Sequence, residues 1–351
     1  MPIDMIALQW GVRRLLSKRS PILRDTATRS WEICPAQTIP TRPAIYLDGC
    51  LDRVSGLSPW RTWEMEERYL KGGPFEHGAT RAHLIENVKI SGAYLYRGRA
   101  RMQQGFGQAS LKQQSTEPYK QFNEASLTSN WAGSQFFGTF MRGALPQELL
   151  PREDERPISL VTKYYKHESD YRTILGQPQP QLVRSGHVKR LILYTDQGQN
   201  HSKTERYEQM RQRLRQNLGA AHSPAPGVYL KRGATGEKRL VSNEAEVEAT
   251  LAAYGFDIIE PSKLTSREIS QRILNTPIVV SVEGSHMAHA IYSMAPDGAF
   301  VVLQPPNRFA MAFKEFADAA GLRFAFTIGH LAGDNCFSVD IDEMKRTLDL
   351  L

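Results

Sequence analysis

In the second half of the chain, short apolar runs alternate with segments of helical spacing. "GVYLKR" (Gly227 to Arg232) reads as a short strand ending in a basic residue. "SNEAEVEATLAAYG" places Val247, Leu251 and Tyr254 at helical spacing behind Ser242 and Asn243 as caps, with Gly255 as the stop. "FDIIEP" is a strand, and "TSREISQRILN" is a helix with Thr265 or Ser266 as N-cap and Glu268 in its first turn. "PIVVSVE" is the next strand. The pattern then breaks at Glu283-Gly284-Ser285-His286 and resumes as a helix expected over Ser285 to Met294. "GAFVVLQPP", "FKEFADAAG" and "LRFAFTIGH" continue as strand, helix and strand. Repeated strand–helix alternation predicts an α/β fold with a parallel sheet covered by helices on both faces.

The first half is less regular. "PAIYLDG", "ENVKISGAYLYRG" and "HVKRLILYT" read as strands, the last followed by a charged helix from Lys203 to Leu218. "SNWAGSQFFGTFMRGALPQELL" reads as a loop feeding a helix that ends at Ala144-Leu145-Pro146. Pro, Gly and Ala cluster in "NLGAAHSPAPG", Asn217 to Gly227, which marks a boundary. For 351 residues the natural division is two domains of ordinary size. The expected layout is an N-terminal α/β domain over 1–220, a C-terminal one over 221–335, and a final amphipathic helix over 336–351 that packs back on the N-terminal domain.

Hydrophobic residues make up 41% of the chain and charged residues 23%, a globular composition. No apolar run approaches the roughly 18 residues of a membrane span. The start, "MPIDMIALQWGVRRLLSKRSPILR", lacks a secretory layout, so the expected location is the cytoplasm. A formal charge of +7 favours anionic partners. Arg13, Arg14, Lys18, Arg19 and Arg24 beside Trp10, Leu15 and Leu16 read either as a solvated basic helix or as a peripheral contact with an anionic inner membrane face. Cys34, Cys50 and Cys336 are too widely spaced to form a disulfide framework. No nucleic-acid motif or aromatic platform accompanies the basic residues, and no nucleic-acid partner is expected.

Ligands of open parallel sheets bind beyond the carboxyl ends of the strands. Three such ends carry polar chemistry here: Lys231-Arg232, Glu283-Gly284-Ser285-His286, and Gln304 before Pro305-Pro306. Arg232 offers a fork suited to a diphosphate. Gly284 allows a sharp turn, and a helix starting near Ser285 would aim N–H groups at an anion. Each residue also has a plainer reading: Arg232 as a surface ion-pair member, Asn243 as an N-cap, His286 and His289 as core or capping residues. The two histidines are three apart with no flanking Cys or Asp, so no metal is assigned. "VDID" (Val339 to Asp342) is read as helix capping rather than a cation-holding acidic pair.

The order "YLKR", "SNEAEVEATLAAYGFDIIEP", "LTSREISQRI", "PIVVSVEGSHMAHAIY", "VVLQPP" resembles the family 61 glycosyltransferases, also described as capsular polysaccharide biosynthesis-type proteins. The likeness covers Gly227 to Gly321 and extends weakly upstream through "ENVKISGAYLYRG" and "GTFMRGALP". The chain departs from the family at its His-Gly-Ala-Gly turn. Glu283 stands where His is usual, Gly284 matches, Ser285 replaces Ala, His286 replaces Gly, and His289 replaces Asn. Thr139 likewise stands where His is usual and Gly143 where an acidic residue is common.

The resemblance implies two facing Rossmann-like domains of the GT-B type and an inverting, metal-independent hexosyl- or pentosyltransferase. It would move a sugar from a nucleotide-sugar, UDP-linked, to a glycan or polysaccharide acceptor, with no cofactor. Arg232, Asn243, Glu244 and Gly284 carry over to the donor site. Glu283, Ser285, His286, His289 and Gln304 would line the donor. Inversion needs a base for the acceptor hydroxyl, expected from the N-terminal half: Asp48 in "IYLDG", then His77 in "GGPFEHG". Two other readings stay open, a non-catalytic nucleotide-sugar or glycan-binding scaffold and a sugar-nucleotide epimerase.

Overall fold

A computed structural model describes residues 21–105, 118–160, 164–219, 225–233, 239–333 and 335–351. The chain divides into two compact units. The first comprises Met1–Gln37, Gly78–Ser169 and Gln177–Arg206, and the second Thr38–His77, Asp170–Gly176 and Tyr207–Leu351. This division differs from a single boundary near residue 220. The segment 38–77 belongs with the C-terminal half, and so do Asp48 and His77. The basic stretch from Trp10 to Arg19 lies outside the described residues. No described helix is long and apolar enough to cross a membrane.

The second unit is built on five strands: β1 (Val228–Leu230), β2 (Asp257–Ile259), β3 (Ile278–Val282), β4 (Ala299–Gln304) and β5 (Arg323–Ile328). All neighbours are parallel, in the order β2-β1-β3-β4-β5. Sheets buried on both faces need near-continuous apolar strands, and β4 is buried at every position. Side chains alternate between the faces. Val280, Val282, Val301, Leu303 and Ala325 pack in one cluster with Val247 and Leu251 of α1 (Glu244–Ala253). On the other register, Phe300 meets Phe313 edge-on at 5.1 Å. The connections carry α2 (Ser266–Ile273) and α3 (Lys314–Ala319).

Local signals hold where the chemistry is local. Thr265 and Glu268 close a reciprocal capping box on α2. Gly255, at φ 80°, ends α1, with Phe256 N–H donating to the Leu251 carbonyl at 3.0 Å. Tyr254, read as part of the apolar stripe, is exposed instead. The last helix, α4 (Ile341–Leu348), is capped by Asp340, whose carboxylate accepts from Glu343 N–H at 2.9 Å, as the capping reading of "VDID" requires. Its Met344 and Leu348 join the cluster that holds α1, so it completes the second unit's own core and not the N-terminal half's.

Two expectations give way. Ser285 to Met294 is not an α-helix: Ser285–His289 is a 3-10 helix of 5 residues with i to i+3 bonds such as Met287 N–H to the Gly284 carbonyl at 3.1 Å. Beyond it the chain continues in turns, with Met294 N–H donating to the Ala290 carbonyl at 3.1 Å, and Ala295 N–H then bonds the Thr276 carbonyl, just ahead of β3, at 3.0 Å. "PAIYLDG" supplies only one bridge, Ile45 to Ala325 of β5, running parallel to it.

The first unit carries an eight-stranded sheet that is mixed, not Rossmann-like. Its centre is the long antiparallel pair Thr80–Ser91 with Ser185–Thr195. Ser185–Thr195 pairs parallel to Lys120–Leu127 on its other side, and Thr80–Ser91 turns at Gly92 into Tyr94–Arg97. Where Ser185–Thr195 ends, the buried Asp196 carboxylate takes a bidentate bond from Arg206 (2.8 and 2.7 Å) and an ion pair from Lys203 at 2.6 Å. Paired this way, the buried charges tie the following helix, His201–Leu218, to the strand.

Candidate functional site

In a 2-1-3-4-5 sheet the strand order reverses between the first and third strands, and the helices that follow them leave on opposite faces. The crevice this opens lies outside the carboxyl ends of β1 and β3. In this chain it is a cleft of about 290 Å³. Lys231, Arg232 and Gly233 reach it directly after β1, Glu260 after β2, and Val282 from the end of β3. The chain then returns past the same mouth, adding Arg239, Leu240, Val241 and Glu244.

Two guanidinium groups meet at one backbone carbonyl. Nη1 of Arg232 donates to the Glu283 carbonyl at 2.8 Å, and Nη1 of Arg239 donates to the same oxygen at 2.6 Å. Arg239 also pairs with the Glu283 carboxylate. Gly284 makes the approach possible. Its backbone sits at φ 158°, ψ 169°, and a Cβ there would lie 1.7 Å from Arg232 Nη1.

His286 lies under this pair. Its Nε2 is 2.8 Å from Ser281 Oγ, and that hydroxyl donates to the Leu230 carbonyl at 2.7 Å. Ser281 therefore accepts from His286, which assigns the ring proton to Nε2 and leaves Nδ1 bare toward Gly284. Burial, then the charges of Arg232 and Arg239, push its pKa down to about 3. The ring is thus neutral and polar, not the cationic partner for a diphosphate that a protonated histidine would be.

The carboxylates of the cleft are held by neighbouring cations. Lys231 pairs with Glu248 and lies 3.8 Å from Glu244. Burial disfavours the lysine's charge, but those two glutamates outweigh it and its pKa rises. Glu260 is kept ionised by bonds from Lys263 and Ser262.

Not every expected donor residue arrives here. Asn243 stands before α1, yet its side chain makes no capping bond. It clips the backbone of Val339 instead, accepting from N–H at 2.9 Å and donating to the carbonyl at 2.9 Å. Gln304 is fully buried, with its amide bonded to Ala310 N–H and carbonyl. His289 is buried with Nδ1 2.7 Å from the Tyr171 hydroxyl. The two histidines thus turn to different partners and form no chelating pair. Ser285 opens the 3-10 turn and is half-buried.

Neither expected base lines the cleft. Asp48 is exposed in the turn before the 3-10 helix Cys50–Arg53. Because Ile45 bridges Ala325 in parallel, Asp48 emerges at the carboxyl rim of the sheet, beside the end of β5. His77 ends the strand Gly73–His77, and burial lowers its pKa. In the first unit, Thr139 and Gly143 lie on a helical stretch whose middle, Phe140–Ala144, winds as a π-helix. Arg239 and Glu260 were missed in the sequence. Glu260 was within reach of the strand-end rule, since it closes "FDIIEP". Arg239 was not, because nothing local says that the loop after β1 returns to its own mouth.

No curated protein matches the chain. Residues 136–302 match the family model described as Glycosyltransferase 61, a span that takes in Arg232, Glu283, Gly284 and His286. The chain is a glycosyltransferase carrying a family 61 domain.

Proposed function

We propose that the cleft at the β1/β3 crevice binds the diphosphate of a nucleotide-sugar, UDP-linked, and that the enzyme transfers the sugar with inversion and without a metal to a polysaccharide or other glycan acceptor. The supporting observation is the convergence of Arg232 and Arg239 on the Glu283 carbonyl. When the bond from the anomeric carbon to the β-phosphate oxygen breaks, negative charge builds on the departing diphosphate. Fixed guanidinium groups in a cleft stabilise that charge without reorganising during the reaction. Arg239 exchanges its Glu283 partner for phosphate oxygens on binding, and neutral His286 sits below as a hydrogen-bonding support.

The acceptor hydroxyl forms the new bond from the opposite face, and its proton goes to a base. Asp48 is the proposal, with His77 second. Strand spacing of about 4.8 Å puts the Ile45 segment roughly 14 Å along the rim from β3. The donor's sugar and the acceptor hydroxyl would fill that interval.

The test is a thermal-shift screen against nucleotides and nucleotide-sugars, with and without a chelator. Only a ligand that binds the native state raises the midpoint. A rise with one nucleoside diphosphate that survives the chelator is expected. No rise with any of them removes the donor-site reading, and a rise abolished by the chelator removes its metal-independent part.

A further inference from the structure

The carboxyl rim of the second unit's sheet carries a second feature. Trp60 is 94% exposed, and its backbone lies at φ 70°. A bond from Arg61 N–H to the Ser58 carbonyl at 3.2 Å closes the turn Ser58-Pro59-Trp60-Arg61. The third place of such a turn, at positive φ, normally takes Gly or Asn, and a bulky residue there is strained. Exposed apolar residues need no special account. A strained one that packs so little of its surface does, because its own burial cannot offset the strain, and such outliers gather at functional sites.

The turn is also rigidly mounted. Ser58 N–H donates to the Phe309 carbonyl at 3.0 Å, Phe309 N–H donates back to Gly56 at 2.9 Å, and Ser55 N–H donates to Pro306 at 2.8 Å. Arg61 pairs with Glu66, a fully buried carboxylate that also accepts from Met311 N–H at 2.6 Å. Trp63 is 44% exposed, with its ring 6.3 Å from that of Phe309. Pro306 to Phe309 directly follow β4. The turn that carries Trp60, and Trp63 beside Phe309, thus lie against the segment that leaves the carboxyl end of β4, on the same rim as the cleft.

We propose that Trp60 and Trp63 form a stacking platform for a sugar ring of the acceptor glycan. One face of a pyranose is lined by C–H groups, which suit the negative face of an indole, while the indole N–H can reach a hydroxyl. A backbone fixed in this way loses little freedom on binding, which favours affinity for a flexible chain. The inference rests on the glycosyltransferase reading of this rim, but not on the identity of the donor.

The experiment titrates cellohexaose, xylohexaose, maltohexaose and chitohexaose into the full chain, followed by tryptophan fluorescence and calorimetry, with uridine diphosphate titrated in parallel. Binding of at least one oligosaccharide is expected, weakened at least tenfold in Trp60→Gly and largely kept in Trp60→Tyr. Gly suits the positive φ, so the Trp60→Gly midpoint should stand at or above the wild-type value, which separates lost binding from lost folding. Binding of none of the four, or equal binding by Trp60→Gly, overturns the platform. Sedimentation with phosphatidylglycerol vesicles that depends on Trp60, without saccharide binding, overturns it in favour of a membrane contact. Failure of uridine diphosphate to bind, with the saccharide result intact, would tell against the donor cleft alone.

Discussion

Arg232 and Arg239 donate to one oxygen, the carbonyl of Glu283, although their loop carries them to it from opposite ends. Placing two like charges on a single backbone acceptor is unfavourable unless something anionic completes the site. The Glu283 carboxylate does so in part through Arg239.

Removing one of these groups tests the cleft directly. Arg232→Ala should weaken uridine diphosphate binding by about 1.5–3 kcal/mol, the scale of a hydrogen bond to a charged group. Isothermal calorimetry at fixed ionic strength reads it. Unchanged affinity would take Arg232 out of the donor site.

Gly284 should fail for two reasons at once. An alanine Cβ would fall 1.7 Å from Arg232 Nη1, and the backbone is in a region nearly reserved for glycine. Gly284→Ala is expected to lose about 1–3 kcal/mol of stability from backbone strain and to weaken the same nucleotide. Its effect on affinity should be less than additive with Arg232→Ala, because both act by removing one guanidinium from its place. Fully additive losses in a double-mutant cycle would refute that coupling.

His286 predicts an acid limb in the stability curve. Its pKa is about 3 folded, against an ordinary 6.5. Between those values the unfolded chain binds a proton that the folded chain does not, so stability is complete above about pH 6.5 and declines as pH falls toward 3. His286→Gln should flatten this limb in denaturant melts across that window. Superimposable limbs for the two proteins would show that the ring is not held neutral.

Asn243 separates stability from binding. Because its amide is spent on both backbone groups of Val339, Asn243→Ala should cost about 1–3 kcal/mol by leaving buried polar groups unmet. Nucleotide affinity should stay within about twofold. Lost affinity at unchanged stability would return Asn243 to the donor site.

What the sequence determined was the local part. The Ile278-Val279-Val280 run, the Thr265/Glu268 box, the Gly255 stop and the Asp340 cap each rest on contacts within a few residues, and each appears where its pattern places it. Strand ends likewise pointed to Arg232 and Glu283, because parallel sheets always present those ends on one rim.

Tertiary structure decided the rest. The hydrophobic period does not encode strand order, so only the pairing of β1 between β2 and β3 located the crevice. Nor does it encode where a loop returns, which is why Arg239 enters unannounced. Asn243, Gln304 and His289 give the same local signal whether they face a ligand or a neighbouring backbone. Packing over long sequence separations, Asn243 to Val339 and His289 to Tyr171, committed those two inward, and the turn after β4 holds Gln304 through Ala310. Trp60 is the reverse case: its sequence signal was an ordinary aromatic, and only a positive φ and an outward ring made it a candidate for function.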